Sequence, residues 1–280
     1  MSNVLDAINA QYEKNKNAAS NNTNKVSNEE RLKKYFTTVL PKGVKTQDKR
    51  IRILPTKDGS SPFVEVYFHE MQVDGQWVKL YDPAQEGKRS PLNEVYESLR
   101  ATGEEEDKEL AKNYRSRKFY IVKVIDRENE QDGVKFWRFK HNTKSEGVLD
   151  KIFPIFKNKG DITDPENGRD LILTLTLNKS PNGKEYTTIN SIIPEDKEPL
   201  HTDKTIAQEW IDNDLVWSDV YSKKPEDYLE LVATGQVPTW DKDNKCWKSA
   251  NDVTPNQLDS NTVVYNDPQT DAEPADDLPF

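Results

Sequence analysis

The sequence predicts a mainly β protein, a closed barrel or a sandwich, interrupted by a small helical insertion and followed by helices and an acidic tail. Three observations carry that reading. Seven short runs rich in β-branched and aromatic residues lie between Lys49 and Ile193, divided by turn signals. Only 34% of the 280 residues are hydrophobic, against about 45–50% in an ordinary globular domain, so part of the chain stays outside any core. Charge is also segregated. Residues 31–160 hold 27 basic and 20 acidic side chains, whereas residues 161–280 hold 10 and 25, within a net charge of −9.

The elements follow in order. Val4, Leu5, Ile8 and Tyr12 stand at helical spacing ahead of a polar run, Asn21 to Asn24, which predicts a short amphipathic arm over residues 1–30. Strands are expected at Arg50 to Leu54, Phe63 to Val73, Gln76 to Tyr81, Phe119 to Ile125, Val134 to His141, Leu171 to Leu177 and Tyr186 to Ile193. Asp74 with Gly75 marks a tight hairpin, because both central residues of such a turn need positive φ. Asn182 with Gly183 marks a second. Leu171, Leu173, Leu175 and Leu177 alternate with Ile172, Thr174 and Thr176, so that strand buries its leucine face. Helix is expected at Leu92 to Leu110 and at Val148 to Ile152, ending before Pro154. Two more short helices follow Pro199, the second entered through Pro225. Residues 31–199 then form the core domain and residues 200–250 a helical segment packed on it. From 251 to 280 there are seven acidic residues, four prolines and no Lys or Arg, which predicts disorder.

Composition also limits the chemistry. No stretch reaches the ~18 apolar residues of a membrane span, and the start MSNVLDAINA lacks the regions of a signal peptide. A cytoplasmic location without membrane contact is expected, in the host cytoplasm if the protein is viral. Cys246 is the one cysteine, and His69, His141 and His201 are scattered, so no familiar zinc motif, cofactor or disulfide is expected. Asp161, Asp170 and Glu185 near Lys184 resemble a metal-nuclease spacing, but 32% of the residues are charged and such spacings then arise by chance. No Gly-rich phosphate loop, nucleophile elbow or His-Glu metal motif is present, and no catalytic residue is assigned.

The densest signal lies in residues 111–144, where ten basic residues meet four acidic ones and six aromatics: Tyr114, Phe119, Tyr120, Phe136, Trp137 and Phe139. An unpaired nucleic-acid strand needs this mixture. Cations track its phosphates and release counterions, while flat rings stack on its bases at about 1–3 kcal/mol each. Arg115, Arg117, Lys118, Lys123, Arg138 and Lys140 supply the charge. Arg50, Arg52 and Lys57 form a second basic run that fits the opposite wall of a groove. Each hairpin strand carries apolar residues on both faces, with Trp137 and Phe139 on one and Phe136, Arg138 and Lys140 on the other. Alternation alone leaves open which face is core. A hairpin of core aromatics and solvated charges, within a β-rich interaction module, is the competing reading.

These pieces, in their order, resemble the single-stranded DNA-binding proteins of T-even phages. The resemblance rests on the strand Ile51, Arg52, Ile53, Leu54, Pro55 with the Lys57 turn, the pair closing on Gly75, Gln76 and Trp77, the insertion with Tyr96, the hairpin Phe136 to Phe139, the Leu-rich strand pair, and the later segment with Asp214, Leu215 and residues 222–231. It implies an OB-fold that coats single-stranded DNA cooperatively and without sequence preference during replication, recombination and repair. It also implies that Arg52, Tyr96, Tyr114, Arg115, Trp137, Arg138 and Tyr186 line the cleft. The family's structural zinc uses one histidine and three cysteines, but here Ser90, Pro91, Leu92 and Asn93 replace a Cys-x-x-Cys pair and only His69 stays nearby. No zinc is therefore expected, and the insertion should be held by packing alone. Arg31, Lys33, Lys34, Thr37 and Thr38 match the family's basic cooperativity cluster only loosely, since Tyr35 and Phe36 interrupt them.

The last five residues, Asp276, Asp277, Leu278, Pro279 and Phe280, resemble the tip of bacterial single-strand binding proteins, which docks replication and repair enzymes. A mobile acidic tether would deliver the Phe280 ring to an apolar pocket and its carboxylate to a basic rim.

Overall fold

The structure, a computed structural model, describes residues 33–252 apart from positions 144, 182, 184 and 222. The seven expected strands all form: β1 (Thr46–Ile53), β2 (Val64–Val73), β3 (Gln76–Tyr81), β4 (Ser116–Asp126), β5 (Val134–Lys140), β6 (Arg169–Lys179) and β7 (Glu185–Lys197). They make one antiparallel sheet in the order β3-β2-β4-β1-β6-β7, with β5 also paired to β4.

Strand β4 organises the sheet. Along one edge it carries β5, from Phe119 opposite Lys140 to Ile125 opposite Val134. Along the other it carries two strands end to end. Residues 116–121 pair with β2, Ser116 lying opposite His69 and Ile121 opposite Val64, and residues 124–126 pair with β1, Val124 lying opposite Ile53. The Leu54 N–H donates to the Lys123 carbonyl at 3.0 Å and bridges the seam between them.

An extended strap closes the barrel. The Phe36 N–H donates to the Phe136 carbonyl (2.9 Å) and the Phe136 N–H to the Lys34 carbonyl (2.8 Å), while the Leu40 N–H reaches Thr187 Oγ1 on β7 at 3.4 Å. Basic and hydroxyl residues here are therefore part of the barrel: the Thr37 carbonyl accepts from Lys49 Nζ at 2.8 Å. The interior holds Phe36, Ile51, Ile53, Val122, Val124, Trp137, Phe139 and the expected leucine face, Leu171, Leu173 and Leu175. This β-rich, OB-like core is the fold class that the strand pattern predicts.

The Asp74–Gly75 turn has φ of 53° and 73°, as the hairpin signal requires. The expected helix at Leu92 to Leu110 is two, α1 (Pro91–Ala101) and α2 (Glu105–Ala111), because Gly103 takes φ 79° between them. Helix α3 (Val148–Lys159) runs through Pro154 instead of ending before it. Pro154 removes one donor, but it and Asp150 lie on the exposed side, where the orphaned carbonyl is open to solvent and its loss of a partner costs little. Ile152 and Ile155 of the same helix plug the barrel.

After β7 come α4 (Lys204–Ile211), a single helical turn α5 (Trp217–Val220) and α6 (Glu226–Ala233). A hairpin, β8 (Pro238–Asp241) with β9 (Cys246–Ser249), follows in a segment expected to be helical. The ring contact between Trp240 and Trp247, 5.4 Å apart, holds it. Leu92 of the insertion packs with Met71 and Leu80 against Tyr228, Leu229 and Val232 of α6. The expected arm at residues 1–30, the tail from residue 253 and its tip lie outside the described residues.

Candidate nucleic-acid interface

Residues directly opposite in an antiparallel ladder share a face. The registers therefore put Phe68, Val66 and Val64 of β2 beside Arg117, Phe119 and Ile121 of β4, and Lys140, Arg138 and Phe136 of β5 beside Phe119, Ile121 and Lys123. Tyr81 and Lys79 of β3 join them opposite Phe68 and Glu70. Arg52 joins opposite Ile125, and Arg50 lies two residues before it. Eight of the expected site residues, Arg50, Arg52, Arg117, Phe119, Lys123, Phe136, Arg138 and Lys140, thus project to the outer face of one sheet. Six of these eight are cations, and the opposite face of the same strands, from Tyr120 to Trp137 and Phe139, is core.

Both faces of the hairpin are nevertheless covered, which corrects the expectation of exposed stacking rings. Trp137 is fully buried inside the barrel, with Phe36 at 6.0 Å and Phe139 at 4.7 Å between ring centroids. Tyr120 is buried on the same inner face. On the outer face Phe119 and Phe136 are buried with Val66, Phe68, Tyr81 and Val220, and Leu215, Trp217 and Tyr221 pack over them. The Tyr221 hydroxyl donates to the Lys79 carbonyl (2.6 Å) and accepts from the Tyr81 N–H (3.0 Å), pinning that cover to the sheet. Arg138 is buried too, its guanidinium over Phe68 and Phe119 at 5.3 and 5.8 Å. Trp137, Tyr120, Phe119, Arg138 and Arg52 present no surface to a base in this conformation, and Phe136, 3% exposed, does no more than border a cavity at the sheet surface. The physical reasons differ by face: Trp137 and Tyr120 fill the barrel interior, Arg52 is enclosed with Asp170, and the segment after α4 folds back over Phe119 and Phe136 on the outer face.

The cations are matched by specific anions. Glu70 lies 2.9 Å from Lys140 Nζ, 3.5 Å from Arg117 Nε and 3.8 Å from Lys79 Nζ. Burial alone would raise the Glu70 carboxyl, but Lys140, Lys79 and Arg117 outweigh it and hold it below its ordinary value. At the other end Arg52 and Asp170, both fully buried, meet at 3.1 Å, and Arg50 and Arg127 reach the same carboxylate at 2.8 and 2.7 Å. Burial opposes ionisation of Asp170, yet Arg127 and Arg52 keep it below the usual carboxylate range. Among the described residues Asp170, Glu195 and Glu198 form the one acidic trio with metal-ligand spacing; three guanidinium groups already neutralise it. Lys118 pairs with Glu65 at 3.0 Å and lies over Tyr67. Lys57 and Lys123 point to the loop after α4.

The remaining expected residues are elsewhere. Tyr96 is on α1 beside Arg100, Tyr114 is half-buried against the insertion core, Arg115 is exposed just before β4, and Tyr186 is half-buried on β7.

A family model described as gp32 DNA binding protein like matches residues 45–233. That span covers β1 through α6 and so includes the barrel, the insertion and the folded-back segment. The chain belongs to this gp32-like family of DNA-binding proteins. No curated protein matches it.

In this gp32-like chain the family's zinc does not fit the residues present. His69 Nδ1 donates to the Tyr114 carbonyl at 2.7 Å, and Nε2 faces Asp82 Oδ1 at 3.6 Å, an ion-pair distance too long for a hydrogen bond. Both Asp82 oxygens accept from Asn93 Nδ2, at 3.0 and 2.9 Å, and Oδ1 also accepts from the Ala84 N–H. A His, Asp, Ser and Asn set lacks the thiolates of a structural zinc site, and Asn93 fills the carboxylate. Burial pushes Asp82 upward, but its contacts with His69, Ser116 and Ser90 win and hold it well below the ordinary range. The insertion is therefore held by a buried polar network as well as by packing, which corrects the expectation of packing alone.

Sequence reasoning missed Glu70, Lys79, Tyr81, Trp217 and Tyr221 on the outer face. The alternation of β2 and β3 could have placed the first three. Nothing local to Trp217 or Tyr221 signals that they cover a sheet 80 to 150 residues earlier in the chain.

Proposed function

We propose that this gp32-like protein coats single-stranded DNA without sequence preference in phage replication, recombination and repair, and that Asp276 to Phe280 recruit partner enzymes. The observation that carries the reading is the family match over a span that includes the whole basic sheet. Physical support comes from the outer face, where Lys79 of β3, Arg117 and Lys123 of β4 and Arg138 and Lys140 of β5 stand in one sheet with Arg50 and Arg52 of β1. A polyanion is attracted to such an array and binds with a steep salt dependence. Exposed Arg115 is a cation a strand meets without rearrangement, and Lys57, Lys118, Tyr96, Tyr114 and Tyr186 are the further groups this reading assigns to the strand. Self-association along DNA and a cytoplasmic site of action belong to the same reading.

The test is a salt titration of binding to single-stranded and duplex oligonucleotides of equal length. A strong preference for the single strand with a steep slope is expected. Equal affinity for both forms, or a flat salt response, overturns the reading. Magnesium-dependent cleavage of a labelled oligonucleotide would instead favour a nuclease.

A further inference from the structure

A cavity of about 270 Å³ opens at the seam where β1 ends and β2 begins along β4. Its walls are mainly apolar, with Leu54, Pro55, Ile121, Phe136, Trp210 and Trp217 among them. That volume is just under the ~300 Å³ lower end of small-molecule pockets, which suits one ring system and not a peptide helix. Val64 and Val216 stand at this site with 47% and 49% of their surfaces exposed, among the most exposed large apolar side chains of the described chain. Exposed apolar groups lining a concave apolar site mark a contact surface.

Two cations line the same site, and their present partners are informative. Lys57 Nζ donates to the Asp212 carbonyl at 2.9 Å and to Asp214 Oδ1 at 2.6 Å. Lys123 Nζ donates to the Asn213 carbonyl at 2.6 Å. Three consecutive residues thus place oxygens on two ammonium groups at the distances of phosphodiester oxygens, two of them neutral carbonyls and one, Asp214 Oδ1, a carboxylate that supplies the single negative charge of one phosphodiester. The Asp214 side chain is 91% exposed, and an ion pair so open to water holds weakly. Burial and the neighbouring Lys57 both lower the Lys123 ammonium, so the pair of lysines gains from any anion between them.

We propose that this cavity takes one unpaired base of bound DNA, with the adjoining phosphate on Lys57 and Lys123, and that the Asp212–Asp214 loop occupies those lysines until the strand displaces it. The inference rests on the single-strand reading above and adds a defined base site with a built-in phosphate mimic. It accounts for the apolar slot and the cation pair together. Neither a purely electrostatic surface nor an apolar peptide groove requires both.

The test uses the full chain and an oligothymidylate in which 5-iododeoxyuridine replaces thymidine. Irradiation of the complex followed by tryptic mapping should place a crosslink on Trp210 or Trp217, within the peptide from Thr205 to Lys223. Asp214→Asn should tighten binding about threefold to tenfold at low salt, and Lys57→Gln should weaken it by a similar factor and lower the salt slope by about one phosphate. Tight binding with crosslinks confined to other peptides, and no response to either substitution, overturns the base site and leaves the single-strand reading standing. The cavity would then have another occupant, the chain's own acidic end included. Failure of the unaltered chain to bind the oligonucleotide overturns both.

Discussion

The guanidinium of Arg52 lies 3.1 Å from the carboxylate of Asp170, and neither side chain is exposed to solvent. A second hydrogen bond, from the same guanidinium to the Glu198 carbonyl at 2.5 Å, ties the end of β7 to the centre of the sheet. The pair joins β1 to β6 where the barrel must stay closed, so a residue expected to touch DNA serves the fold.

Removing the carboxylate strands that charge. Asp170→Ala should destabilise the protein by about 3–5 kcal/mol, the usual cost of leaving one member of a buried pair alone. Denaturant titration checks it. A change below about 1 kcal/mol would mean that Arg50 and Arg127 have other anions close enough to substitute.

The same group makes stability depend on acid. Asp170 and Asp82 both have folded-state values below the ordinary carboxylate range. Their contribution is therefore complete above about pH 4, where the unfolded carboxyls ionise, and is lost as pH falls through the lower folded values. Thermal unfolding between pH 6 and pH 2 should show a falling Tm, with a smaller fall in Asp82→Asn. A flat profile would count against both pairs.

Glu70 holds three cations of the outer face, so Glu70→Gln should have opposite effects on two measurements. Affinity for oligothymidylate at low salt should rise about threefold to tenfold as phosphates replace the lost carboxylate. Stability should fall, because Lys140, with only 14% of its side chain exposed, loses its carboxylate partner. An unchanged affinity alongside reduced stability would confine the outer face to a structural role.

Trp137 should behave as core. Trp137→Ala should cost about 3–5 kcal/mol by opening a cavity, whereas Trp137→Phe should leave the fluorescence change on adding poly(dT) intact. That signal should arise from more accessible rings such as Trp217. Loss of the signal in the Phe variant would return Trp137 to the binding surface.

Much of this architecture is readable in the chain because strands carry their own evidence. The alternation at Leu171 to Leu177 and the Asp74–Gly75 turn each settle local geometry without help from distant residues. The partition of the 134–140 strand was readable too, with Trp137 and Phe139 opposite Phe136, Arg138 and Lys140. What alternation cannot supply is a second layer. Trp217, Val220 and Tyr221 cover the outer face through contacts made from far along the chain, so rings that look available in a hairpin are enclosed in the folded protein. The β8–β9 hairpin was missed for a related reason: four-residue strands in a polar stretch give too short a period to read, and the Trp240–Trp247 contact that holds them is only visible in three dimensions. Asp82 escaped notice because a single acidic residue after a strand looks solvated until His69 and Asn93 are seen around it.

The strap from Lys34 to Leu40 sets a boundary for trimming the chain. Shortening from the amino end as far as residue 33 leaves every hydrogen bond of the strap in place. Removing seven further residues would strip β5 of its second neighbour, on the edge away from β4, and uncover the Phe36 socket beside Trp137. A bare strand margin next to a newly wetted apolar hole is a template for sticking to other copies, so fragments starting at 34 should remain dispersed and fragments starting at 41 should clump.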